Sequence, residues 1–295
     1  YNDTKIISLP LLLNSDFAEF LGYVIGDGHI EKCYIEITNE DKEIINRVIE
    51  LSKSLFNISP IIKKDIRTKN LFKIQLCSKT LVEIFKIFNL NPGKKGKFLK
   101  VPDQIILSDN ETIRSFIKAY FDCDSYPSKN KRCIELTSES QIIIQQINML
   151  LKRFGILSSI SKKLINEVSY WRLIIKARYS EYYADKIGYR IKRKQDSVNK
   201  YENIGIIQGS GNQDMIPLGK ILKALRLQLG FSIGEIQENA VYSYGIYEQK
   251  GFISKDHLTK LIHYYKLKKQ GIFWNILKNI KNNIELREKY SHRAI

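Results

Sequence analysis

The stretch FLGYVIGDG, residues 20–28, is an apolar run that ends in an acidic turn, where Asp27 stands between two glycines. Its length and its mixture of aliphatic and aromatic residues predict a buried helix that closes at the turn. A second stretch of the same character, IKAYFDCDS at residues 117–125, carries Asp124 at the matching place, 97 positions later. The fold therefore has to account for two acidic helix ends together.

These two stretches open two copies of a longer repeat. YIEITNEDKEIINRVIELSKSLFNISPIIKK, which ends at residue 64, matches CIELTSESQIIIQQINMLLKRFGILSSISKK, which ends at residue 163. LFKIQLCSKTLVEIF and YWRLIIKARYSEYYA continue the match. The offset is 97 at the acidic turns and 99 beyond a two-residue insertion. A pattern of this length indicates duplication of a unit of roughly 100 residues.

Both copies predict the same order of elements. An apolar helix ends at the acidic turn and is followed by alternating strand sequence, an amphipathic helix, two further strands and a closing helix. Cap-type residues begin the amphipathic helices, near residues 39–41 and 138–139. The predicted fold class is α+β, with two pseudo-symmetric αββαββα units and mixed or antiparallel sheets. The expected division of the chain is residues 1–105, residues 106–200, a linker at 201–215 and a C-terminal domain at 216–295.

Small residues recur four positions apart on both lead helices. Gly22 and Gly26 stand on the first helix, and Ala119 and Cys123 stand on the second. Small side chains at this spacing let two helix backbones approach closely. If a pseudo-two-fold axis relates the two copies, these helices meet on the axis, and their C-terminal ends bring the two aspartates together.

The ends of the two helices are shaped by the residue that follows each aspartate and by the charges of the two aspartates. Gly28 suits the left-handed conformation that closes many helices, whereas Ser125 would adopt it only at a conformational cost. Two carboxylates at the negative ends of helices repel each other and the helix dipoles. A divalent cation relieves that repulsion, and carboxylate oxygens with the backbone carbonyls of Gly26 and Cys123 are hard ligands suited to Mg²⁺. The alternative is that each aspartate only caps a turn at the surface.

The charge balance indicates a polyanionic partner. Lys and Arg number 48 against 31 Asp and Glu, which gives a net charge of +17 and a pI near 9.5. Such a chain attracts nucleic acid, although a basic soluble protein from an AT-rich genome also over-uses Lys. The lysines are spread along the chain, which favours a long binding surface. No membrane partner is expected, because no apolar stretch approaches the ~18 residues of a membrane span, and no signal peptide is visible.

The cysteines indicate a reducing compartment. Cys33, Cys77, Cys123 and Cys133 form no CxxC pair, which argues against a zinc site. In a chain of this size they are expected to be reduced thiols of an intracellular protein, in cytoplasm, nucleoid or an organelle.

The two acidic stretches, FLGYVIGDG and IKAYFDCDS, resemble the LAGLIDADG motif of homing endonucleases, and the resemblance extends over roughly residues 15–200. It implies a monomeric, single-chain enzyme with two motifs, in which Asp27 and Asp124 are catalytic. These acids would hold Mg²⁺, or Mn²⁺ in its place, between the scissile phosphates of a long, asymmetric double-stranded DNA site. The implied product is a double-strand break. The copies depart from the family pattern at four positions that are not the acid: Ile25, Gly26, Lys118 and Ser125.

The resemblance also implies catalytic lysines, since phosphoryl transfer benefits from a fixed cation near the developing charge. Inteins of this family carry a Lys just before an Ile/Val-Pro pair between the halves. Here that residue is Lys100, before Val101 and Pro102, with Lys97 as the alternative. In the segment IGYRIKRKQ after the second copy, Lys194 is the corresponding candidate. Each lysine has the alternative role of a solvated phosphate contact.

The strands after each motif have one apolar and one polar face, with Ile35 and Ile37 pointing inward. Two-stranded ribbons fit the major groove of DNA, and basic residues set the register on phosphates. Any single lysine on such a face is equally explained as solvated. The predicted DNA contacts are Tyr34, Glu36, Thr38, Lys63, Lys64, Arg67, Lys73 and Gln75 in copy one, and Lys162, Lys163, Arg172 and Lys176 in copy two.

The repeat pattern breaks at KYENIGIIQGSGNQDMIP, which has the composition of a linker. Short helices are predicted beyond it, the second to fourth capped by Ser232, Ser243 and Ser254. They resemble a repressor-type helix-turn-helix, which implies a small all-α DNA-binding domain. The alternative is a helical bundle that packs on the nuclease core. On the first interpretation residues 243–249 enter a major groove, with contacts from Ser243, Tyr244 and Tyr247.

Two other functions remain open on the sequence. A non-catalytic regulator can join a LAGLIDADG-derived unit to a helix-turn-helix, although regulators tend to lose the acid pair that this chain keeps. An RNA maturase fits the charge equally well. The KVP and IGYRIKRKQ segments favour an intein origin over an intron origin, whereas Tyr1 and the terminal SHRAI carry no splicing residues.

Overall fold

Contacts between residues group the chain into two compact units, residues 1–205 and 206–295, each with its own apolar core. Both copies of the repeat lie in the first unit. No helix in the described part of the chain is long and apolar enough to cross a membrane. The computed structural model describes residues 7–65, 70–93, 96–165, 168–203 and 215–267, together with 278, 279, 281 and 282.

The first copy has the predicted order αββαββα. Its lead helix carries the first acidic stretch and runs directly into the first strand. The elements are α1 (Ser15–Asp27), β1 (Gly28–Ile30), β2 (Tyr34–Asn39), α2 (Lys42–Phe56), β3 (Ile61–Lys64), β4 (Phe72–Cys77) and α3 (Lys79–Ile87).

The second copy repeats that order, which confirms the α+β prediction. A short helix, α4 (Asp103–Ile106), connects the copies, and a further helix, α8 (Lys192–Asn199), follows the second one. Neither was predicted. The remaining elements are α5 (Asn110–Asp124), β5 (Ser125–Pro127), β6 (Cys133–Ser138), α6 (Gln141–Lys152), β7 (Ser159–Ile165), β8 (Val168–Lys176) and α7 (Arg178–Lys186).

Each copy folds its four strands into one antiparallel sheet, with the orders β1-β2-β4-β3 and β5-β6-β8-β7. The strand that follows each acidic turn therefore lies at an edge of its sheet. Alternation along β2 puts Ile35 and Ile37 in the core and Glu36 on the opposite face. Helices α2 and α3, and α6 and α7, pack on the sheets of their own copies. The sheets are thus antiparallel, one of the two predicted alternatives.

Side-chain caps explain where four helices begin. Asn14, Ser78, Asp109 and Ser140 each accept a hydrogen bond from a backbone N–H in the first turn of α1, α3, α5 and α6. Asp41, in the cap position of α2, makes no such bond. Its carboxylate accepts from the Arg193 guanidinium (2.7 and 3.1 Å), so it joins the first copy to the segment after the second.

Aromatic packing fixes α1 in the first copy. Phe17 and Phe20 of α1 lie edge-on to Phe56 of α2 and Phe85 of α3, with ring centroids 5.1 to 6.1 Å apart. Such edge-to-face pairs each contribute about 0.5–1.5 kcal/mol beyond the area that they bury. The lead helix is therefore held rigidly on the side away from the second copy.

The second copy is one residue shorter at the end of its amphipathic helix. The chain reverses at Asn57 after α2 (φ 55°) and at Gly155 after α6 (φ 73°), and these two positions lie 98 residues apart instead of 99. The strand register confirms the shift, because Lys63 occupies the place of Ser161 and not that of Lys162. A one-residue slip exchanges the two faces of a strand.

The second unit is not all-α as predicted. Two short strands, β9 (Met215–Ile216) and β10 (Ile253–Ser254), pair antiparallel between the helices. Ile253 is fully buried, so the ribbon closes one end of the core. The helices are α9 (Gly219–Gln228), α10 (Ile233–Asn239), α11 (Tyr244–Lys250) and α12 (Lys255–Leu267).

Candidate active site and nucleic-acid interface

The two lead helices pack directly against each other through their small residues. An added Cβ at Gly22 would lie 2.7 Å from Ala119 Cβ and 2.7 Å from the carbonyl oxygen of Phe116. An added Cβ at Gly26 would overlap with Cys123 Cβ and would lie 2.8 Å from its Sγ. The predicted close approach of the helices is therefore present, and only small side chains permit it.

This packing brings the acidic ends together. Asp27 and Asp124 are the last residues of α1 and α5, and both are half-buried. Burial, and then the charges of these two carboxylates, raise the pKa of the Cys123 thiol well above its usual range. The thiol also hydrogen-bonds to Asp27. Cys123 is thus close to two acids that are 97 residues apart in sequence.

Each acid has a polar neighbour from the second strand of its own sheet. Asn39 Nδ2 donates to Asp27 Oδ2 at 2.6 Å, and Asn39 is 8% exposed. In the second copy Ser138 holds the same place on its strand, and Ser138 and Asp124 both interact with the buried hydroxyl of Tyr120. Sequence reasoning missed Asn39 and Ser138. The available signal was a polar residue at the end of an otherwise alternating strand in both copies.

The turn after each acid differs from the expectation. Gly28 has φ −86° and ψ 155°, so it is extended and not left-handed. Ser125 has nearly the same conformation, with φ −103° and ψ 155°, and therefore carries no special strain. Its hydroxyl donates to the carbonyl of Phe121 (2.7 Å) and lies 2.8 Å from Tyr189 Oη. The extended conformation is what lets a strand start directly after the acid.

Lys194 is a buried helix cap. Its ammonium donates to the carbonyl oxygens of Phe121 (3.2 Å), Asp122 (2.5 Å) and Ser125 (2.7 Å), and the residue is 7% exposed. Burial lowers the pKa of this ammonium. All three donors are used at the negative end of α5. The structure therefore corrects the prediction that Lys194 is a cation available to a phosphate.

The segment around Lys194 is braced by a second buried group. Asp122 accepts hydrogen bonds from the backbone N–H groups of Arg190 (3.0 Å) and Ile191 (3.2 Å). It is 2% exposed, and burial raises the pKa of its carboxyl to about 6. Residues 187–195, which the sequence singled out for their lysine, thus hold the end of α5 in place.

The other predicted lysine is differently placed. Lys100 is half-buried and precedes Val101, whose N–H donates to Gln146 Oε1 at 2.8 Å. Its catalytic role stays a prediction. Lys97, the alternative, is exposed and lies with Nζ 5.2 Å from the ring centroid of Phe98. The 99-residue offset instead pairs Lys194 with Lys95, which lies outside the described residues.

The donor set suits a hard cation. In the described ranges, no group of three or more His, Cys, Asp and Glu side chains is arranged to hold a metal ion. Asp27 and Asp124 offer carboxylate oxygens, and the backbone carbonyls of Gly26 and Cys123 lie on the same two helix ends. Mg²⁺ keeps several waters and takes one or two carboxylates with substrate phosphates. The residues present therefore fit such an ion.

The register gathers most predicted DNA contacts on the sheet faces opposite the core. In the first sheet Glu36 pairs with Gln75, and Lys73 lies between Thr38 and Lys63. The predicted residues on this face are Tyr34, Glu36, Thr38, Lys63, Lys73 and Gln75 in the first sheet, and Lys163, Arg172 and Lys176 in the second.

Two predicted residues lie on the other face. Lys64 pairs with Phe72 and Lys162 pairs with Trp171, so both point to the side of the core aromatics. The one-residue shift after the amphipathic helix causes the error for Lys162. Arg67 lies outside the described residues.

Among the residues of the polar faces that sequence reasoning missed, two lie on the strands that follow the acids. His29 on β1 is in register with Glu36, and Tyr126 on β5 is in register with Glu135. The His29 side chain is 50% exposed, and Tyr126 is 63% exposed. Each stands two positions after an acid, which was the signal available. They are the side chains of this face that follow the acids most closely in the chain.

The second unit corrects one predicted contact. Tyr244 is fully buried, and its hydroxyl donates to the carbonyl of Leu222 at 3.0 Å, so it belongs to the core and does not contact DNA. Tyr247 is half-buried, with Oη 2.5 Å from Nδ1 of His257. Ser243 precedes α11 but makes no side-chain cap bond.

The remaining surface of α11 is partly apolar. Tyr242, just before the helix, is 88% exposed, and Ile246 is 49% exposed. Ser232 caps α10, and Ser254 caps α12, as predicted. A bidentate ion pair between Arg226 and Glu248 (2.6 and 3.0 Å) ties α9 to α11.

A duplicated αββαββα unit, with an acid at the end of each of two packed lead helices, defines the class of protein. A family profile described as a LAGLIDADG-like domain matches residues 14–86 and 111–188, one match to each copy. The chain belongs to this LAGLIDADG family.

The curated relatives are larger proteins with diverse names. An A-type ATP synthase subunit of Pyrococcus abyssi is 37% identical over 58% of this chain and 16% of its own length. The probable translation initiation factor IF-2 of Methanocaldococcus jannaschii is 32% identical over 86% of this chain and 21% of its own length. The replication factor C small subunit of the same organism is 34% identical over 61% of this chain and 10% of its own length. The chain thus spans about a fifth or less of each.

Two solved structures are similar to this chain over more than nine tenths of their own lengths. I-DmoI in complex with DNA and Mn is 16% identical, with a TM-score of 0.47 over 60% of this chain and 98% of its own. Full-length DUF199/WhiA from Thermatoga maritima is 15% identical, with a TM-score of 0.47 over 96% of this chain and 92% of its own.

Proposed function

We propose that this protein is a site-specific homing endonuclease that hydrolyses both strands of double-stranded DNA with Mg²⁺, or with Mn²⁺ in its place. The observation that carries the proposal is the meeting of two acidic helix ends. Asp27 and Asp124 both act on the Cys123 thiol, although nothing in the packing of the core rewards two like charges there. A divalent cation would offset the charge of the two acids and would hold the DNA phosphates close to them.

The chain's own residues would position the reaction. Asp27 and Asp124 would hold the ion, and the Asn39 amide would keep Asp27 Oδ2 oriented through its 2.6 Å hydrogen bond. Lys194 and the 187–195 segment would fix the end of α5, and with it Asp124. When bound, the ion supplies the charge that activates water and stabilises the leaving oxygen on each strand. The two acids belong to one chain, so a monomer would suffice.

The acid pair gives the first test. Asp27→Asn and Asp124→Asn are each expected to abolish Mg²⁺-dependent cleavage, because an amide is a weaker ligand and adds no charge. DNA affinity should stay within about a factor of three, since most of the binding comes from basic residues elsewhere. Cleavage is measured on gels, and affinity by fluorescence anisotropy in EDTA.

The matched control is Asp185→Asn, which removes an exposed carboxylate from α7 of the same unit. It should cut like the unchanged protein. Full cutting by either motif variant would overturn the catalytic assignment. Tight DNA binding without cutting by the unchanged protein would instead support a DNA-binding regulator, and a preference for structured RNA would support a maturase.

The relatives favour an inserted origin, as in an intein. Proteins named as an ATP synthase subunit, an initiation factor and a replication factor share this sequence over only 10–21% of their own lengths. Unrelated activities do not explain a shared segment, whereas a self-contained unit inserted into different hosts does. The substrate to test is therefore DNA of a host gene across its uninterrupted insertion site. Loss of cutting when the insert is present would support a homing function.

A further inference from the structure

The two polar sheet faces can be compared position by position once the one-residue shift is known. Their central strands, β2 and β4 in the first sheet and β6 and β8 in the second, keep the same chemistry. Three equivalent pairs carry it: Glu36 with Glu135, Thr38 with Thr137, and Lys73 with Arg172.

The acid and the base on each face form the same contact. Lys73 Nζ lies 3.5 Å from Glu36 Oε1, and Arg172 Nη1 lies 3.5 Å from Glu135 Oε2. Both bases are 32% exposed at the side chain. At that exposure the pairs contribute little to stability, since surface ion pairs are worth about 0–1 kcal/mol. Stability therefore does not explain why both copies keep them.

An acid on these faces also works against DNA affinity. The chain has a net charge of +17, and a carboxylate near phosphates is repelled. The paired base offsets part of that repulsion, and a hydrogen-bond donor on the DNA compensates for the rest. In the major groove the cytosine N4 amino group is a donor that Glu accepts from, while guanine N7 and O6 accept from Lys or Arg. A neighbouring Glu and Lys are thus complementary to the two edges of a G·C pair.

We propose that the Glu36–Lys73 and Glu135–Arg172 pairs each read a G·C base pair, at equal distances on the two sides of the cut. The proposal rests on the DNA-endonuclease function above. The two G·C pairs are related as an inverted repeat, because the two sheets are copies of one unit. They lie at an intermediate distance from the cut, since β2 and β4 stand between the edge strand β1, which follows Asp27, and the far edge β3.

The edge strands differ between the copies, so the flanking bases are asymmetric. On the edge next to the acid, His29 is replaced by Tyr126. On the far edge, Lys63 is replaced by Ser161. The target is therefore a matched pair of G·C positions between stretches that differ on the two sides.

The test uses the full chain and a pool of randomised double-stranded DNA, selected for binding in EDTA so that no cutting is required. The unchanged protein should enrich G·C at two positions symmetric about the centre. Lys73→Met should lower the preference for G·C about ten-fold or more at one of these positions only, and Arg172→Met at the other only. Lys73→Arg should keep the preference.

The control is Lys86→Met, which removes a lysine that is also paired with a glutamate (Glu83, 2.6 Å) but lies on α3. It should change affinity slightly and base preference not at all. Selection of bound, cleavable DNA without the two matched G·C positions would overturn this inference and leave the endonuclease function standing. An equal loss at both positions in either single variant would also overturn it. Failure to select any DNA would overturn both.

Discussion

At the scale of the residue, Lys194 is a charged group in a buried environment. A buried ammonium is costly unless its donors are satisfied, and here three carbonyl oxygens at the end of α5 satisfy them. The same three bonds give a donor to the carbonyls of Phe121, Asp122 and Ser125, near the end of this helix. The Asp124 carboxylate is therefore held by a turn that depends on one distant side chain.

Lys194→Met is expected to lower the free energy of unfolding by about 1–3 kcal/mol, because buried carbonyls lose their donor. The measurement is urea denaturation followed by circular dichroism. Lys192→Met is the control, since Lys192 is exposed on the same helix, α8, and should have an effect within about 0.5 kcal/mol. Equal effects of the two substitutions would show that the cap is not needed.

His257 gives a pH dependence to the second unit. Burial, followed by the charge of Lys260, lowers the pKa of His257 below its usual value, while Asp256 opposes them. The unfolded chain then binds the proton more readily than the folded one. Stability is therefore expected to fall as the pH drops through about 6.5.

The measurement is hydrogen exchange of α11 and α12 amides at pH 7 and pH 5.5. Protection of these amides should decrease at pH 5.5 in the unchanged protein and decrease less in His257→Gln. A steeper loss in the variant would contradict the sign. The α1 amides, in the other unit, serve as the internal control.

At the scale of the element, α1 and α5 pack so closely that backbone atoms of α5 leave no room for a side chain at Gly22. A Cβ added at Gly22 would lie 2.7 Å from both Ala119 Cβ and the carbonyl oxygen of Phe116. The backbone of a packed helix cannot move aside as a flexible side chain can. Gly22→Ala is expected to destabilise the first unit by about 1–3 kcal/mol. Urea denaturation measures the loss.

A second substitution shows whether the contact is the cause. Ala119→Gly removes one of the two atoms that the new methyl meets, so the double variant Gly22→Ala, Ala119→Gly should be more stable than the sum of the single effects predicts. Additive effects would mean that the loss arises elsewhere. Cleavage by Gly22→Ala should fall together with stability, because the same contact sets the spacing of the acids.

At the scale of the whole molecule, the second unit is expected to increase the affinity for DNA without contributing residues to the cleavage site. A chain that ends at residue 205 keeps the first core, both sheets and both acids. It should still cut with Mg²⁺ but bind DNA about ten-fold more weakly or worse. The dependence of log affinity on log salt should also become shallower, because fewer phosphates are contacted.

Fluorescence anisotropy over a salt series measures both quantities. Unchanged affinity would show that residues 206–295 do not contact DNA, as in the alternative of a plain helical bundle. A chain ending at residue 267 is the control for the loss of the C-terminal tail alone.

Much of the architecture could be predicted from the sequence because local patterns carry it. The period of apolar residues marked the helices and strands of both copies, and the repeat fixed their order. Gly22 and Gly26 indicated the helix contact because glycines four positions apart lie on one face of a helix and allow another helix to approach closely. Such signals are local, or occur in both copies, and can therefore be recognised in the sequence alone.

Other features depended on which distant segments meet. The first copy has one extra residue before Asn57, so the match between the copies predicts the wrong sheet face for Lys162. Only the pairing of the strands shows this one-residue shift. The ribbon that buries Ile253 joins strands 37 residues apart in sequence, each only two residues long. The helix-turn-helix resemblance predicts Tyr244 at a DNA-binding surface, whereas the core of the second unit buries it completely.

The sequence by itself determined the duplication, the αββαββα order, and the pair of acids at the ends of two helices that must pack closely. Only the tertiary structure decided which side chains face solvent and which are satisfied inside. Lys194 is the clearest case, because its partners lie 69 to 73 positions earlier in the chain. Whether a lysine ammonium caps a helix or faces solvent depends on the carbonyl oxygens around it. Those carbonyls come close to Lys194 only when the chain folds.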